Sequence, residues 1–578
     1  MLQQLIHTIL VSVVCILWGV PVHFILLRKY KDAFWPQHGV PVPVFLFISG
    51  FLLLSVINSW LVLFIALNIK VLVIETLLLL LFLPAYNPIQ VLHTHKAAGL
   101  IRYNRLEISF FIAVLMVLVY LSAIPSSNGD TSIYHLQIIR WINEQGTVPG
   151  LANLFPRLGL GSALFNITSL FYIPALGSRN FNYVNLSLCI WAFTFLFSKW
   201  HFHFSRSLQD RKNSILSLYY LLILIYTIVD WQLLRDTANS TAYDLVVGFL
   251  GIICISFLVE DLFHREKHRG SVVLIILILA IPSFKLSGAL MGIIILQQMI
   301  LARSARLLIP AFIAGIVILG PVLVKNYITT GYVLFPVLLP AGHPDWQLPV
   351  SLADNFQDYI KNANRFYNSK QYFIDHFDKT AFNWIPYWWK GILIQHKVLV
   401  FLSLCSFMIL AFIKKNFISG SKSFLLLAAL SLMVIGWFFT APDPRFAYGF
   451  LLPLSFIGPA LLIGPVLPGF ITKMVLILTV FAVILYGAVK MQKDPELANN
   501  LLFPSDANDS PYRVIQAGNS SLNQPVRTPE RPESLCNYLP LPCIYQVNPF
   551  LEQRGPNLKD GFRMKPITDS NFIKNYRY

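Results

Sequence analysis

Long apolar runs separated by short polar turns dominate this chain. A helix that crosses a bilayer needs about 20 apolar residues. Fourteen runs qualify: 4–27, 41–66, 71–90, 107–124, 181–198, 214–232, 240–259, 271–284, 287–301, 306–324, 394–413, 423–440, 446–464 and 470–488. The turn between the second and third has an alternative at Asn58-Ser59, which leaves sidedness unchanged. Runs eight and nine are short and read as a hairpin. The pattern predicts an all-α polytopic membrane protein with about 14 (11–14) transmembrane helices. It also predicts interfacial helices in the outer loops and an irregular extracytoplasmic C-terminal tail.

One further run, LGLGSALFNITSLFYIPALG at 158–177, decides the topology. If it crosses, every later loop changes side. If it lies in the interface as an amphipathic element, the basic clusters agree. Seven loops then share one side. They carry Arg28/Lys29/Lys31, Lys96/Arg102/Arg105, Lys199/Arg206/Arg211/Lys212, Arg265/Lys267/Arg269, Arg303/Arg306, Lys414/Lys415/Lys422 and Lys473. Nineteen Lys and Arg on one side make a positive-inside signal, so the interfacial reading is adopted. The chain divides into N-terminal helices (1–124), a first outer loop (125–180), a transmembrane core (181–324), a long aromatic outer loop (325–393), C-terminal helices (394–490) and a tail (491–578).

Composition agrees with this picture. Charged residues make up 12%, against roughly 25% in soluble domains, and mean hydropathy is +0.63. The net charge of +17 does not point to nucleic acid, because the cations sit in short loops between apolar runs. The first run has no basic residues before it and RKYK after it, the reverse of a cleaved signal peptide. It reads as a retained helix with its N-terminus outside. Cys15, Cys189, Cys254 and Cys405 lie in apolar runs and read as packing residues. Cys536 and Cys543 form a close pair in the tail and are disulfide candidates in an oxidising compartment.

The chemistry gathers on the outer side. The stretch GDTSIYHLQIIRWINEQGTVPGLANLFPRLG, 129–159, holds Asp130, His135, Arg140, Glu144 and Arg157. Asp130 or Thr131 suits an N-cap, while Asp130 also stands where a carboxylate meets the membrane surface. Arg140 and Glu144 are spaced as an i,i+4 pair. A second outer turn offers Asp230, Arg235, Asp236 and Asp244, and Asp244 falls inside the next helix, where a carboxylate is costly. Lys285, Lys325 and Arg445 stand where three apolar runs meet outer loops. Outer cations at three turns oppose the positive-inside bias, and a shared phosphate accounts for them. Carboxylates supply a general base, cations stabilise a departing phosphate, and aromatics meet sugar rings or lipid.

These segments resemble the GT-C class of integral membrane glycosyltransferases, such as protein O-mannosyltransferases and aminoarabinose transferases. The resemblance covers about 107–460 and rests on GDTSIYH, Gly177 and Arg179, the acidic second turn, KNYITTGYVLFP and DPRFAYG. The tail phrase SLCNYLPLPCIYQVNPFLEQRGPNLKDGFR is similar to that of a little-characterised family of large bacterial membrane proteins. The resemblance implies sugar transfer from a polyprenyl-phosphate donor to a hydroxyl of a glycan, lipid or protein acceptor, outside a bacterial cytoplasmic membrane. Asp130 takes the position of the catalytic base, and Asp236 or Asp244 that of a second acidic site; His135 and Glu144 are possible substitutes. Lys285, Lys325, Arg445, Arg235 and Arg140 are donor-phosphate candidates. Tyr134, Trp141, Trp388, Trp389 and Asn326 are acceptor or sugar candidates. Many members pair Asp with Glu in this loop; here Thr131 follows Asp130, so a divalent metal has no clear ligand motif. A polymerase or ligase acting on diphosphate-linked oligosaccharide, and a transporter or flippase, are the alternatives.

Overall fold

The computed structural model describes the chain except residues 1, 30–38, 87–103, 125, 127, 174–180, 208–209, 231–235, 264–271, 303–307, 341, 367–381, 413–419, 468, 494–510, 518, 527–534 and 577–578. Most of the basic loops fall outside the described residues, as do Arg235, Gly177 and Arg179.

The long helices are α1 (Leu2–Lys29), α2 (Val42–Leu61), α3 (Ile69–Phe82) and α4 (Arg105–Ser122). After the first loop come α5 (Leu136–Glu144), α6 (Ala163–Leu170), α7 (Tyr183–Phe204), α8 (Arg211–Val229), α9 (Asp244–Asp261) and α10 (Val272–Phe284). Then follow α11 (Ile293–Ala302), α12 (Leu308–Thr330), α13 (Val350–Arg365), α14 (Ile385–Gly391), α15 (Ile394–Phe412), α16 (Gly420–Thr440), α17 (Tyr448–Ile463) and α18 (Gly469–Lys493). Among the described residues, nine helices are long and apolar enough to cross a membrane. They mark a helical membrane protein. The other expected spans differ for physical reasons. Helix α9 carries Asp244, Glu260 and Asp261, and α7 carries Lys199, His201 and His203. Runs eight and nine are short, as their pattern predicts, and break at Lys285 between α10 and a 3-10 turn, Leu286–Gly292. Asn58 and Ser59 lie inside α2, so the turn to α3 falls later.

The described part of the segment 158–177, residues 158–173, holds no helix long enough to cross, nor does it form an amphipathic surface helix. Its α-helix is α6, eight residues whose every side chain is buried. The expectation of an interfacial helix is corrected here: α6 is apolar around its circumference except for Asn166, Thr168 and Ser169, and α5, α2 and α7 surround it. The three polar residues are satisfied. Thr168 bonds the Leu164 carbonyl, Ser169 bonds the Leu67 carbonyl, and Asn166 donates to Ser59.

The long outer loop forms a hairpin, β1 (Tyr332–Leu334) with β2 (Val337–Pro340), followed by α13 and α14. The tail is more regular than expected. Among its described residues it forms two hairpins, β3 (Tyr512–Ala517) with β4 (Ser520–Pro525) and β5 (Leu551–Gln553) with β6 (Phe562–Met564), and then α19 (Ser570–Asn575). Cys536 and Cys543 are joined by a disulfide.

Two close approaches hold the site's framework. At the crossing of α9 and α17, a Cβ on Gly251 would lie 2.6 Å from the Gly449 Cα. Only glycines allow these backbones so near, and the crossing packs the first turns of α9 against Tyr448 and the Pro444–Ala447 turn. In the first loop Gly150 has φ +62°, a conformation that favours glycine, and a Cβ there would stand 2.0 Å from the Phe562 carbonyl oxygen. That turn lets β6 close over the loop.

Candidate functional site

The expected capping role for Asp130 is not what the structure shows. Asn128 opens the segment, accepting from the Asp130 N–H at 3.0 Å. A wide, π-type turn follows at Thr131–His135 and runs into α5. The Asp130 side chain makes no cap bond. Its Oδ1 instead accepts from Arg157 Nη1 at 2.7 Å. The Asp130 side chain is 46% exposed and the Arg157 side chain only 13%. Asp130 therefore fronts solvent on a buried guanidinium, and its Oδ2 has no hydrogen-bond partner among the described residues.

Arg157 is framed by aromatics. It donates to the Tyr359 hydroxyl at 2.9 Å and lies 5.6 Å from the Tyr134 ring centroid and 5.5 Å from that of Tyr359. Burial alone would lower its pKa; Asp130 and the two phenols more than offset that, and the guanidinium is held above its ordinary value. The Tyr134 hydroxyl meets that of Tyr243 at 3.0 Å, and burial raises the pKa of both phenols. His135 Nδ1 lies 2.9 Å from Thr241 Oγ1. Burial lowers the His135 pKa to about 4, and Asp130, Asp244, Lys285 and Arg157 all act on it electrostatically. Burial thus favours the neutral imidazole, with two carboxylates and two cations acting on it.

Lys285 Nζ pairs with Asp244 Oδ1 at 2.5 Å and lies over the Phe446 ring, 3.2 Å from its centroid, with Tyr243 at 5.0 Å. Burial lowers the Lys285 pKa, opposed by Asp244. Arg445 folds back on Asp443, 2.6 Å from Nη2 to Oδ2, and this partner outweighs burial to hold Asp443 below the usual carboxylate range. Next to it is a fully buried cluster. The Tyr448 hydroxyl donates to Asp230, and His396 Nε2 lies 2.8 Å from that hydroxyl and 3.7 Å from Asp230 Oδ2.

Asp130, His135, Tyr134, Asp244, Lys285 and Arg445 thus belong to one connected group. Lys325 occupies an adjoining niche, its Nζ donating to Asn166 Oδ1 at 3.0 Å. Asn326 Oδ1 and the Lys325 stem line the same niche, opposite Gly161. The remaining candidates lie elsewhere. Arg140 and Glu144 form their i,i+4 pair at 2.6 Å on the far face of α5, where Arg140 also reaches the Tyr538 carbonyl. Trp141 is fully buried beneath Phe562. Trp388 is buried and donates to the Pro442 carbonyl, fixing the turn before Asp443, while Trp389 faces outward. Asp236 is half-buried, and its carbonyl receives the Ser240 hydroxyl. Among the described residues no cluster of three His, Cys, Asp or Glu suits a metal ion.

The tail grips the Asp130 turn from above. Asn537 N–H and the Tyr545 hydroxyl donate to the Ser132 carbonyl, and Gln137 donates to the Asn537 and Leu539 carbonyls. Sequence reasoning left Arg157, Tyr243, Tyr359, Asn166, Asp443 and the Asp230–Tyr448–His396 cluster unassigned. Asp443 was signalled by its place two residues before Arg445 in PDPRFA, and Arg157 by sharing a loop with Asp130. The others depend on tertiary contact.

No curated protein and no solved structure matches the chain. A family model does match, over residues 1–452, which takes in every charged member of the site from Asp130 to Arg445 and stops short of the tail. The chain belongs to the family described as Domain of unknown function (DUF8201).

Proposed function

We propose that this protein transfers a sugar from a polyprenyl-phosphate donor to an acceptor hydroxyl at the end of the bundle where Asp130 lies. One observation carries the reading: Asp130 presents an unoccupied carboxylate oxygen to solvent while Arg157 holds the other from below. An oriented, half-exposed carboxylate beside several buried cations suits a general base in a reaction that expels an anion.

In this reading the acceptor hydroxyl approaches Asp130 Oδ2. Its oxygen attacks the anomeric carbon as its proton passes to the carboxylate. The new glycosidic C–O bond forms as the bond from the anomeric carbon to the phosphate oxygen breaks. The lipid phosphate departs with the electron pair, and the configuration inverts. Arg157 orients the base. Lys285, paired with Asp244 and lying over the Phe446 ring, shapes the adjoining wall. The outer face of a bacterial cytoplasmic membrane is the compartment this reading assigns, on the strength of the charge asymmetry along the sequence.

The test is Asp130→Asn in proteoliposomes supplied with polyprenyl-phosphate sugar and a hydroxyl acceptor. A loss of two to four orders of magnitude in turnover is expected, on the order of a general base's contribution. Turnover equal to wild type would remove Asp130 from the chemistry. A product ladder in place of a single added sugar would favour a polymerase.

A further inference from the structure

We infer that Lys325, Asn166 and the Gly161 turn form a receiving niche for a phosphate group. Lys325 stands in the last turns of α12 and is 9% exposed. Its ammonium has three N–H donors. Asn166 Oδ1 takes one, and among the described residues Nζ has no other hydrogen-bond partner and no carboxylate. The contrast with its peers is sharp: Lys199, Lys285, Lys422, Arg157 and Arg445 each face a carboxylate. A buried ammonium costs several kcal/mol when its charge is not offset. An amide oxygen offsets only part of that.

The surroundings add charge of the same sign. Lys325 meets α6 on its first turns, and the start of a helix is its positive end. Asn166 is fixed from behind, its Nδ2 donating to Ser59 Oγ at 3.3 Å. Gly161 leaves the flank of the lysine clear: a Cβ there would make ordinary contacts of 3.8–3.9 Å with Asn326 Oδ1 and the Lys325 Cδ and Cε. An ammonium with two unused donors, a positive helix end and no acid together ask for a compact anion with several acceptor oxygens. A phosphate group meets that requirement. Arg157 sits four residues before Gly161, so one turn links this niche to Asp130. That the phosphate is the donor lipid's rests on the glycosyl-transfer reading; the niche itself does not.

The experiment uses the full chain in detergent and follows its thermal midpoint. Inorganic phosphate, and separately a lipid phosphate monoester in mixed micelles, are compared with chloride at equal ionic strength. Wild type is expected to melt several degrees higher with the probe it recognises. A response to the lipid alone identifies a headgroup site, and a response to inorganic phosphate identifies a free-phosphate site. Lys325→Met is expected to lose the response and, without any anion, to melt above wild type, because it removes an uncompensated charge. Gly161→Ala keeps the fold and weakens the response. A Lys325→Met protein that melts below wild type, or that keeps the full response, overturns the inference, since the lysine would then be structural. Asp130→Asn separates the two ideas. If it and wild type respond to phosphate while neither transfers sugar, the transfer reading falls and the niche stands. If Lys325→Met transfers sugar with an unchanged KM for the donor instead of one raised about 10-fold or more, the donor assignment falls.

Discussion

The two ends of the helix bundle use the same residue types in opposite ways. At the end away from the tail, Lys199 and Glu260 meet at 2.7 Å with side chains only 6% and 5% exposed. Tyr220 donates to the same carboxylate, and His203 lies 3.5 Å away. Lys422 joins Asp261 in the same manner, so ion pairs tie α7 to α9 and α9 to α16, and His201 lies 3.3 Å from Glu107 between α7 and α4. At the other end the Asp130–Arg157 pair has one member in solvent and one oxygen unused. The lesson is that a charged pair's role depends on whether it is closed off from solvent. Pairs buried on both sides brace helices, and a pair with one member in solvent remains open to a ligand.

Matched substitutions test this contrast. On the proposed glycosyl-transfer reading, the largest effect is expected from Asp130→Asn, which lowers turnover about 10²- to 10⁴-fold while leaving the thermal midpoint nearly unchanged. Glu260→Gln is its mirror. It strands Lys199 in a buried site and is expected to cost about 3–5 kcal/mol in reversible denaturant unfolding. Lys199→Met with Glu260→Gln should recover most of that loss. If Glu260→Gln proves harmless to stability and Asp130→Asn does not, the two ends have been assigned the wrong way round.

A smaller effect concerns pH. His135 has its folded-state pKa lowered by burial to about 4, against 6.5 ordinarily. Between those values the unfolded chain binds the proton and the folded one does not. Stability from this residue is therefore complete above about pH 6.5 and falls as pH drops towards 4. His135→Gln should flatten that part of the stability–pH curve, as measured by thermal melts across the range. An unchanged slope would show that another group titrates there. The smallest effect belongs to Glu144→Gln. An exposed i,i+4 pair contributes about 0.3–0.5 kcal/mol, so the melting temperature should barely move and transfer should be unaffected.

The sequence reveals a good deal of the fold because apolar runs are themselves the signal. The hairpin at Lys285 and the turns at the ends of α8 and α16 can be read from where those runs stop. The burial of α6 cannot, because an apolar octet reads the same whether lipid or protein surrounds it. The site is legible in part for the same reason. Asp130, Asp244, Lys285, Lys325 and Arg445 stand out as charges at the margins of apolar runs. Their pairings do not, since Arg157 and Asp130 are 27 residues apart and Lys285 and Asp244 are 41 apart. Trp141 shows the opposite failure. Its residue type suggests sugar stacking, and only the covering Phe562 reveals it as core.

The tail's grip on the Asp130 turn carries a consequence for biogenesis. Gln137 bonds to carbonyls 400 and 402 positions later in the chain. The loop around Asp130 is synthesised early, yet the segment that steadies it leaves the ribosome only after every helix of the bundle. Until that segment has docked, Asp130 and His135 sit on a turn lacking its roof. Assembly order thereby delays completion of the site until the rest of the molecule is in place.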